Sequence, residues 1–161
     1  MSDMIKVGMA DLNVCTSPNV ITTLGLGSCV GIVLHDPIRK IAGMVHVMLP
    51  DSKKILNNEN KAKFADTGID ALILEMTKIG ADRRGLIAKI AGGAQMFAFS
   101  SNNEMMRIGD RNVEATKLKL QQLGIVIKAE DTGANYGRTI EFYPETGMLL
   151  IKSVGKEKKL I

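Results

Sequence analysis

A chain of 161 residues, of which 45% are hydrophobic, is long and apolar enough to fold around one core, which excludes a disordered protein. The net charge of +4 suits an acidic partner, but no stripe of Lys and Arg interleaved with aromatic residues supports nucleic-acid binding. Two cysteines, no visible signal peptide and no apolar run of membrane-spanning length lead us to expect a cytoplasmic protein without a disulfide framework or membrane insertion. No linker or repeat interrupts the chain, so we expect a single domain over residues 1–161, with a flexible basic tail at about 155–161.

The first third of the chain is predicted to be rich in β-structure. Residues 5–14 form a weak strand candidate broken by Gly8, and residues 20–23 form a short β-branched run. A glycine-rich loop over 25–28 follows. Residues 30–34 and 41–49 are apolar runs separated by turn residues, which is the pattern of a hairpin.

Two helices and further strands follow. Apolar residues with helical spacing predict a helix over 65–79, ended by Gly80, and a second over 112–123, capped by Asp110. The remaining predicted strands are 86–91, 125–129, 139–143 and 148–154. This order favours an α/β protein of the α+β type, a layered sandwich of mixed, largely antiparallel sheets with two main helices.

Cys29 is the first candidate for chemistry. It follows the glycine-rich segment and precedes an apolar run, so it lies where a strand begins. Such a position presents a nucleophile beside loop N–H groups, here those around Gly27 and Ser28, that could stabilise an oxyanion. Free cysteine is also a common small buried residue, so a structural role stays open.

His46 strengthens the case for Cys29. It lies within an apolar run, where a polar ring needs a partner or a function. If the two runs form a hairpin centred on Pro37 and Ile38, Cys29 is directly opposite His46, with Cβ atoms about 4.5–5.5 Å apart. Two alternatives remain: a helix that begins at Ser28, and a core histidine satisfied by the backbone.

A third group should orient the imidazole, and Thr23 could offer its hydroxyl, although threonine is common in strands for its β-propensity alone. The other histidine, His35, is expected to be exposed in a turn. No nucleotide-binding glycine pattern, zinc-ligand spacing or carboxylate pair accompanies these residues, so we expect no metal and no cofactor.

Six segments, in order along nearly the whole chain, resemble those of the CheD family of chemoreceptor glutamine deamidases. The pieces Gly-Ser-Cys and His-Val-Met-Leu-Pro-Asp are the most specific. The six segments are TLGLGSCV (23–30), VHVMLPDS (45–52), KFADT (63–67), KIAGGAQMF (89–97), IGDRN (108–112) and EDTG (130–133).

The resemblance implies a Cys–His–Thr triad, which falls on Cys29, His46 and Thr23. It implies a layered fold similar to the catalytic domains of cytotoxic necrotizing factor toxins. The implied reaction converts selected glutamines on the cytoplasmic helices of methyl-accepting chemotaxis receptors to glutamate and releases ammonia, with glutamyl methylesterase work as a side activity. The implied partner is the phosphatase CheC where an organism has it, so we expect a monomer or a heterodimer with CheC.

Two other functions stay open. The protein could be mainly a binding module that docks on CheC or receptors through residues 94–106, with Phe97 and Phe99 as candidate contacts, although these side chains could instead fill the core. It could also be a cysteine amidohydrolase that acts on a small molecule.

Overall fold

A computed structural model describes residues 2–96 and 107–161. Within these residues the chain forms ten strands and two α-helices. The helices are α1 (Ala65–Lys78) and α2 (Ile108–Gln122), and the strands are β1 (Met4–Val7), β2 (Leu12–Thr16), β3 (Val20–Leu26), β4 (Val30–Asp36), β5 (Ile41–Val47), β6 (Ile87–Gly92), β7 (Val126–Thr132), β8 (Arg138–Tyr143), β9 (Met148–Lys152) and β10 (Lys159–Leu160).

The strands form two five-stranded sheets. The first sheet has the order β1-β3-β8-β9-β10 and the second has the order β2-β5-β4-β6-β7. Two neighbouring pairs, β1 with β3 and β6 with β7, are parallel, and the other pairs are antiparallel. The second sheet lies between the first sheet and the helices, because α1 packs on β2 and β5 and α2 packs on β4 and β7. The predicted α+β layered sandwich with mixed, largely antiparallel sheets is confirmed.

The strands β4 and β5 lie at the centre of the molecule, and every residue in them is buried. Successive side chains of a strand point to opposite faces, so each strand serves two apolar layers. Val45 and Val47 face the helices, whereas Ala42 and Met44 face the first sheet. This double burial explains why both strands read as continuous apolar runs in the sequence.

Helix α1 covers the helix-facing side of this central pair. The predicted apolar stripe is buried there as expected, and it consists of Ile69, Leu72, Ile73 and Met76. The helix approaches β5 so closely that a Cβ atom on Gly43 would lie 2.7 Å from Leu72 Cδ1. Within the described part of the chain, no helix is both long and apolar enough to cross a membrane.

Three predicted boundaries differ from the structure. Residues 5–14 form two strands, β1 and β2, rather than one weak strand. Strand β3 continues through Gly25, whose φ of +67° accompanies a register shift against β8 between Thr23 and Leu26. Helix α2 begins at Ile108, so Asp110 lies in its first turn instead of capping it. An acidic residue is favourable in that turn because it interacts with the positive end of the helix dipole.

The end of the chain is ordered where we expected a flexible tail. Strand β10 pairs with β9, and Ile161 exchanges two backbone hydrogen bonds of 3.0 Å with Leu149. Ile161 also packs against the apolar layer between the sheets. The prediction of a flexible tail is therefore wrong for the last three residues.

Candidate active site

The hairpin of β4 and β5 brings the candidate residues to one end of the second sheet. Its register pairs Val30 with Val47 and Gly31 with His46, which differs by two residues from the register that the sequence suggested. The shift arises because β4 extends to Asp36, so the turn comprises residues 37–40. Direct opposition of Cys29 and His46 is therefore wrong.

A shift of two residues leaves each side chain on the same face of the sheet, because the side-chain period of a strand is two. Cys29 and His46 both face the layer between the sheets. Cys29 lies just before β4, beyond the last pair of the hairpin ladder, and packs in the same apolar cluster as Val33 and Met44. The thiol and the imidazole thus belong to one inner face, displaced along it rather than directly opposed.

The residue opposite His46 has no side chain. A Cβ atom on Gly31 would lie 2.7 Å from Ile140 Cδ1, a side chain of the first sheet. The space between the sheets is therefore too narrow here for a second side chain beside the imidazole.

Thr23 on the first sheet joins His46 on the second. Its Oγ1 lies 2.7 Å from His46 Nδ1 and also donates a hydrogen bond of 2.7 Å to the carbonyl of Val7. A carbonyl can only accept, and a hydroxyl has a single proton to donate, so the bond with the ring must run from Nδ1–H to Oγ1. This chain of hydrogen bonds fixes the ring tautomer and leaves the lone pair of the neutral imidazole on Nε2.

Nε2 of His46 is buried and has no hydrogen-bond partner within residues 2–96 and 107–161. Burial also lowers the pKa of His46 below its ordinary value of 6.5. The ring is therefore neutral at pH 7, with a nitrogen free to accept a proton.

Cys29 keeps 8% of its surface exposed. Burial raises the pKa of its thiol above the ordinary 9.0, and its own backbone N–H acts in the opposite direction to a smaller extent. Burial thus disfavours the charged form of each group, the thiolate of Cys29 and the imidazolium of His46.

The backbone around Cys29 is held by its carbonyl oxygens. The N–H groups of Gly93 and Ala94 donate to the carbonyls of Cys29 and Gly27, each at 2.8 Å. Nδ2 of Asn112 donates to the carbonyl of Ser28 at 2.9 Å. In the described ranges, the N–H group of Ser28 donates to no other residue, and that of Cys29 interacts only with its own thiol. Both N–H groups therefore remain available to a ligand on the side of the loop away from its bonded carbonyls.

Gly92 allows β6 to approach this loop. Its φ is +108°, and a Cβ atom there would lie 2.3 Å from the carbonyl oxygen of Cys29. Both facts require glycine, since a side chain would collide with the backbone of Cys29.

The structure joins Thr23 to His46 and places Cys29 on the same face. Gly27 and Ser28 lie in the loop between β3 and β4, and their carbonyls accept from Ala94 and Asn112. Phe97 and Phe99 lie outside the described residues. His35, expected to be exposed in a turn, is instead buried on β4 and donates from Nε2 to the carbonyl of Pro144 at 3.0 Å.

Sequence reasoning missed Asn112. This residue is fully buried in the second turn of α2 and contacts the backbone on both sides of the site. Its spacing of four residues from Thr116 and eight from Leu120 places it on one buried stripe of the helix. A polar residue in that stripe was the signal that could have found it.

The residues described by the structure contain no group of three or more His, Cys, Asp or Glu side chains arranged to hold a metal ion. The fold and the site define an α+β sandwich protein that carries a thiol and an oriented imidazole on one inner face.

Comparison with known sequences extends this description. The family described as CheD chemotactic sensory transduction matches residues 48–153. The chain is 71% identical over 161 residues to a probable chemoreceptor glutamine deamidase CheD of Lachnoclostridium phytofermentans, with all of both chains covered. It is 62% identical over 160 residues to a protein of the same name from Caldanaerobacter subterraneus, with 99% of each chain covered. It is 59% identical over 162 residues to the chemoreceptor glutamine deamidase CheD of Halalkalibacterium halodurans, again over both full chains. This chain belongs to the CheD family.

Proposed function

We propose that the protein hydrolyses side-chain amides of glutamine residues on chemotaxis receptors, with Cys29 as nucleophile and His46 as general base. The names of its full-length relatives support the reaction and the substrate. The observation that carries the chemistry is the free Nε2 of His46, on the inner face that Cys29 shares, in a ring whose other nitrogen is bonded to Thr23. Thr23 acts as a positioning residue for the base.

The first half of the reaction forms a thioester. Nε2 of His46 accepts the thiol proton as Sγ of Cys29 attacks the carbon of the glutamine amide. The negative charge on the amide oxygen is stabilised by the N–H groups of Ser28 and Cys29, and a well-placed donor of this kind contributes about 3–4 kcal/mol. The imidazolium then returns its proton to the amide nitrogen, and ammonia leaves.

The second half regenerates the enzyme. His46 removes a proton from water, which attacks the thioester carbon, and the thiol of Cys29 leaves with a proton from the ring. The sum is glutamine plus water giving glutamate and ammonia, with no redox step. A glutamyl methyl ester would follow the same course with methanol as the leaving group, which is the expected side activity.

The pKa shifts suit a general-base mechanism. Burial favours the uncharged thiol and the uncharged imidazole, so the proton moves during the attack rather than before it. A ring whose pKa lies below 6.5 is in its basic form at neutral pH, where a base must be unprotonated to act.

The test is the conversion of glutamine to glutamate in a receptor cytoplasmic fragment, followed by mass spectrometry. Cys29→Ala should abolish conversion, and His46→Ala should reduce it by about 10²–10⁴-fold. Cys15→Ala is the matched control, since Cys15 is the other buried cysteine of the same apolar layer, and it should convert the fragment at the wild-type rate. Conversion by Cys29→Ala at the wild-type rate would overturn the mechanism. Activity on free glutamine with none on the receptor fragment would support a small-molecule amidohydrolase instead.

Docking on CheC stays a prediction. The described part of the segment predicted for it ends at Met96, which is 47% exposed and packs next to Gly27, close to the site. Capture of purified CheC by the Cys29→Ala protein would show that binding and catalysis coexist in one chain.

A further inference from the structure

The ladder between β4 and β5 ends just before the candidate site. Its last pair is Val30 with Val47, so the next positions would be Cys29 and Met48. There the direct ladder is replaced by the side chain of Asn112, whose Nδ2 donates to the carbonyl of Ser28 at 2.9 Å and to the carbonyl of Met48 at 3.0 Å. One carboxamide therefore bridges the two strand ends.

The two bridged carbonyls adjoin the two reacting groups. Ser28 directly precedes Cys29, and Met48 follows His46 by two residues. The bridge thus sets the separation between the backbone that carries the thiol and the backbone that carries the imidazole. On the opposite side, the N–H groups of Gly93 and Ala94, just after β6, bond to the carbonyls of Cys29 and Gly27.

A primary amide suits this bridge for a chemical reason. Its nitrogen carries two N–H donors, and both are used here. A carboxylate of the same shape has no donor, so its oxygen would face two carbonyl oxygens without a hydrogen bond. Asn112 is fully buried, and its Oδ1 has no partner among residues 2–96 and 107–161. An unpaired buried oxygen opposes folding, and this cost offsets part of what the two hydrogen bonds of Nδ2 contribute to stability.

Helix α2 is docked closely enough to make the bridge rigid. A Cβ atom on Gly109 would lie 2.4 Å from the carbonyl oxygen of Ala94, and one on Gly93 would lie 2.2 Å from a methyl group of Val113. The first turn of α2 therefore packs against the backbone that follows β6, with no side chain between them. Because the helix is in direct contact with this backbone, the bridging amide has little freedom to move.

We propose that Asn112 is a positioning residue for the proposed reaction: by bridging the carbonyls of Ser28 and Met48, it fixes the backbone that carries Cys29 relative to the backbone that carries His46. The proposal rests on the proposed function of Cys29 and His46. It gives Asn112 no contact with substrate. Loss of the bridge should lower kcat with little change in KM, because the substrate surface stays and the alignment of thiol and base is lost.

The test uses Asn112→Leu, which keeps the approximate volume and removes both donors without adding charge. If Asn112→Leu fails to fold, Asn112→Ala is the second variant to use. The space that it opens allows water to reach the two carbonyls. Thr116→Val is the matched control. Thr116 is fully buried one turn further along α2, and its hydroxyl bonds only to the carbonyl of Asn112 among the described residues.

Two readouts are needed. The first is kcat and KM on the receptor fragment, where we expect kcat to fall at least tenfold and KM to stay within threefold of wild type. The second readout needs no receptor. It is the rate at which iodoacetamide alkylates Cys29 at pH 7.5, measured in a Cys15→Ala background with and without His46→Gln, and the rate with His46→Gln is subtracted from the rate without it. This difference measures how well His46 assists the thiol, and the folded Asn112 variant should lose at least nine-tenths of it.

The outcomes separate the two proposals. If the wild type shows no alkylation that depends on His46, the pairing of Cys29 with His46 fails, and the role of Asn112 falls with it. If that component exists and persists in a folded Asn112 variant, with kcat within twofold of wild type, Asn112 is only structural. Thr116→Val should keep both kinetic readouts even where its melting temperature falls, and an equal kinetic loss in Thr116→Val would also reduce Asn112 to a packing role.

Discussion

The two ends of the β4–β5 hairpin each contain a buried histidine, but the polar atoms around the two histidines differ in their hydrogen bonding. At the turn end, His35 donates to the carbonyl of Pro144 and meets the ring of Phe142 edge-on, with centroids 5.0 Å apart. Nearby, the carboxylate of Asp36 accepts from three backbone N–H groups and from Arg39.

At the open end, two buried polar atoms have no partner within the described ranges, Nε2 of His46 and Oδ1 of Asn112. Buried polar atoms are ordinarily satisfied, and the turn end follows that rule. The difference teaches that burial of a histidine does not by itself indicate catalysis. The indication comes from a fully buried ring nitrogen without a partner among the described residues, on a face that the ring shares with a thiol.

The sharpest test of this comparison replaces each histidine by glutamine. His46→Gln should lower deamidation of a receptor fragment by about 10²–10⁴-fold, because the general base is lost. His35→Gln should keep the rate within twofold and lower the free energy of unfolding by about 1–2 kcal/mol, through lost ring contact and hydrogen bonding. Rates by mass spectrometry and urea unfolding measure the two effects. A comparable rate loss in His35→Gln would remove the distinction between the two ends.

The second test concerns the hydroxyl that fixes the tautomer of His46. Thr23→Val keeps the shape and removes the bond to Nδ1. We expect kcat to fall about 10- to 100-fold, by analogy with the loss of partners that orient metal-binding histidines. Thr22→Val is the matched control on the same strand, where a buried hydroxyl donates to the carbonyl of Ile140 and does not contact the ring. Equal rates in the two variants would mean that the ring does not need Thr23.

The third test is the pH dependence of kcat/KM. Burial disfavours the imidazolium of His46 and lowers its pKa below 6.5, so the basic form persists to lower pH than in a free histidine. The rate should be level near neutral pH and fall about tenfold per pH unit only below the midpoint, which should lie under 6.5. An acid limb with its midpoint at or above 7 is incompatible with a buried neutral base.

The smallest expected effect is on stability. Burial lowers the pKa of both His35 and His46 in the folded protein, so below pH 6.5 the unfolded chain binds more protons than the folded one. The stability that the two neutral rings contribute is therefore complete above pH 6.5 and is lost as the pH falls towards the folded-state pKa values. Lowering a pKa by one corresponds to about 1.4 kcal/mol of stability. In urea unfolding at pH 7.5 and 5.5, His35→Gln and His46→Gln should each lose less stability on acidification than the wild type. The same loss in all three proteins would contradict the lowered pKa values.

The sequence was a good guide to which residues share a face and a poor guide to which residues touch. Cys29 and His46 were placed on one face of a hairpin, and this survived an error of two residues in register because the side-chain period is two. The register itself depends on the length of the turn. No local pattern in the sequence indicates that β4 continues through His35 to Asp36.

Contacts between layers could not be predicted from local pattern. The hydroxyl of Thr23 reaches His46 only because the two sheets stack, and neither strand encodes the other's position. Asn112 bridges Ser28 and Met48 across 84 and 64 residues of chain, at a place where three elements meet. Its position beside the glycine-rich loop suggested Thr23 only weakly, and the resemblance to a family strengthened that prediction. The polar residue in the buried stripe of α2 marked Asn112 without indicating what it bonds.

The bond between Thr23 and His46 crosses from one sheet to the other, and this has a consequence for how the protein loses activity. A shear of the sheets by a single residue, about 3.3 Å, would break this bond while leaving every hydrogen-bonded ladder intact. Catalysis should therefore disappear at milder denaturant or temperature than the circular dichroism of the strands, since turnover depends on the alignment of two layers and the spectrum only on the integrity of each.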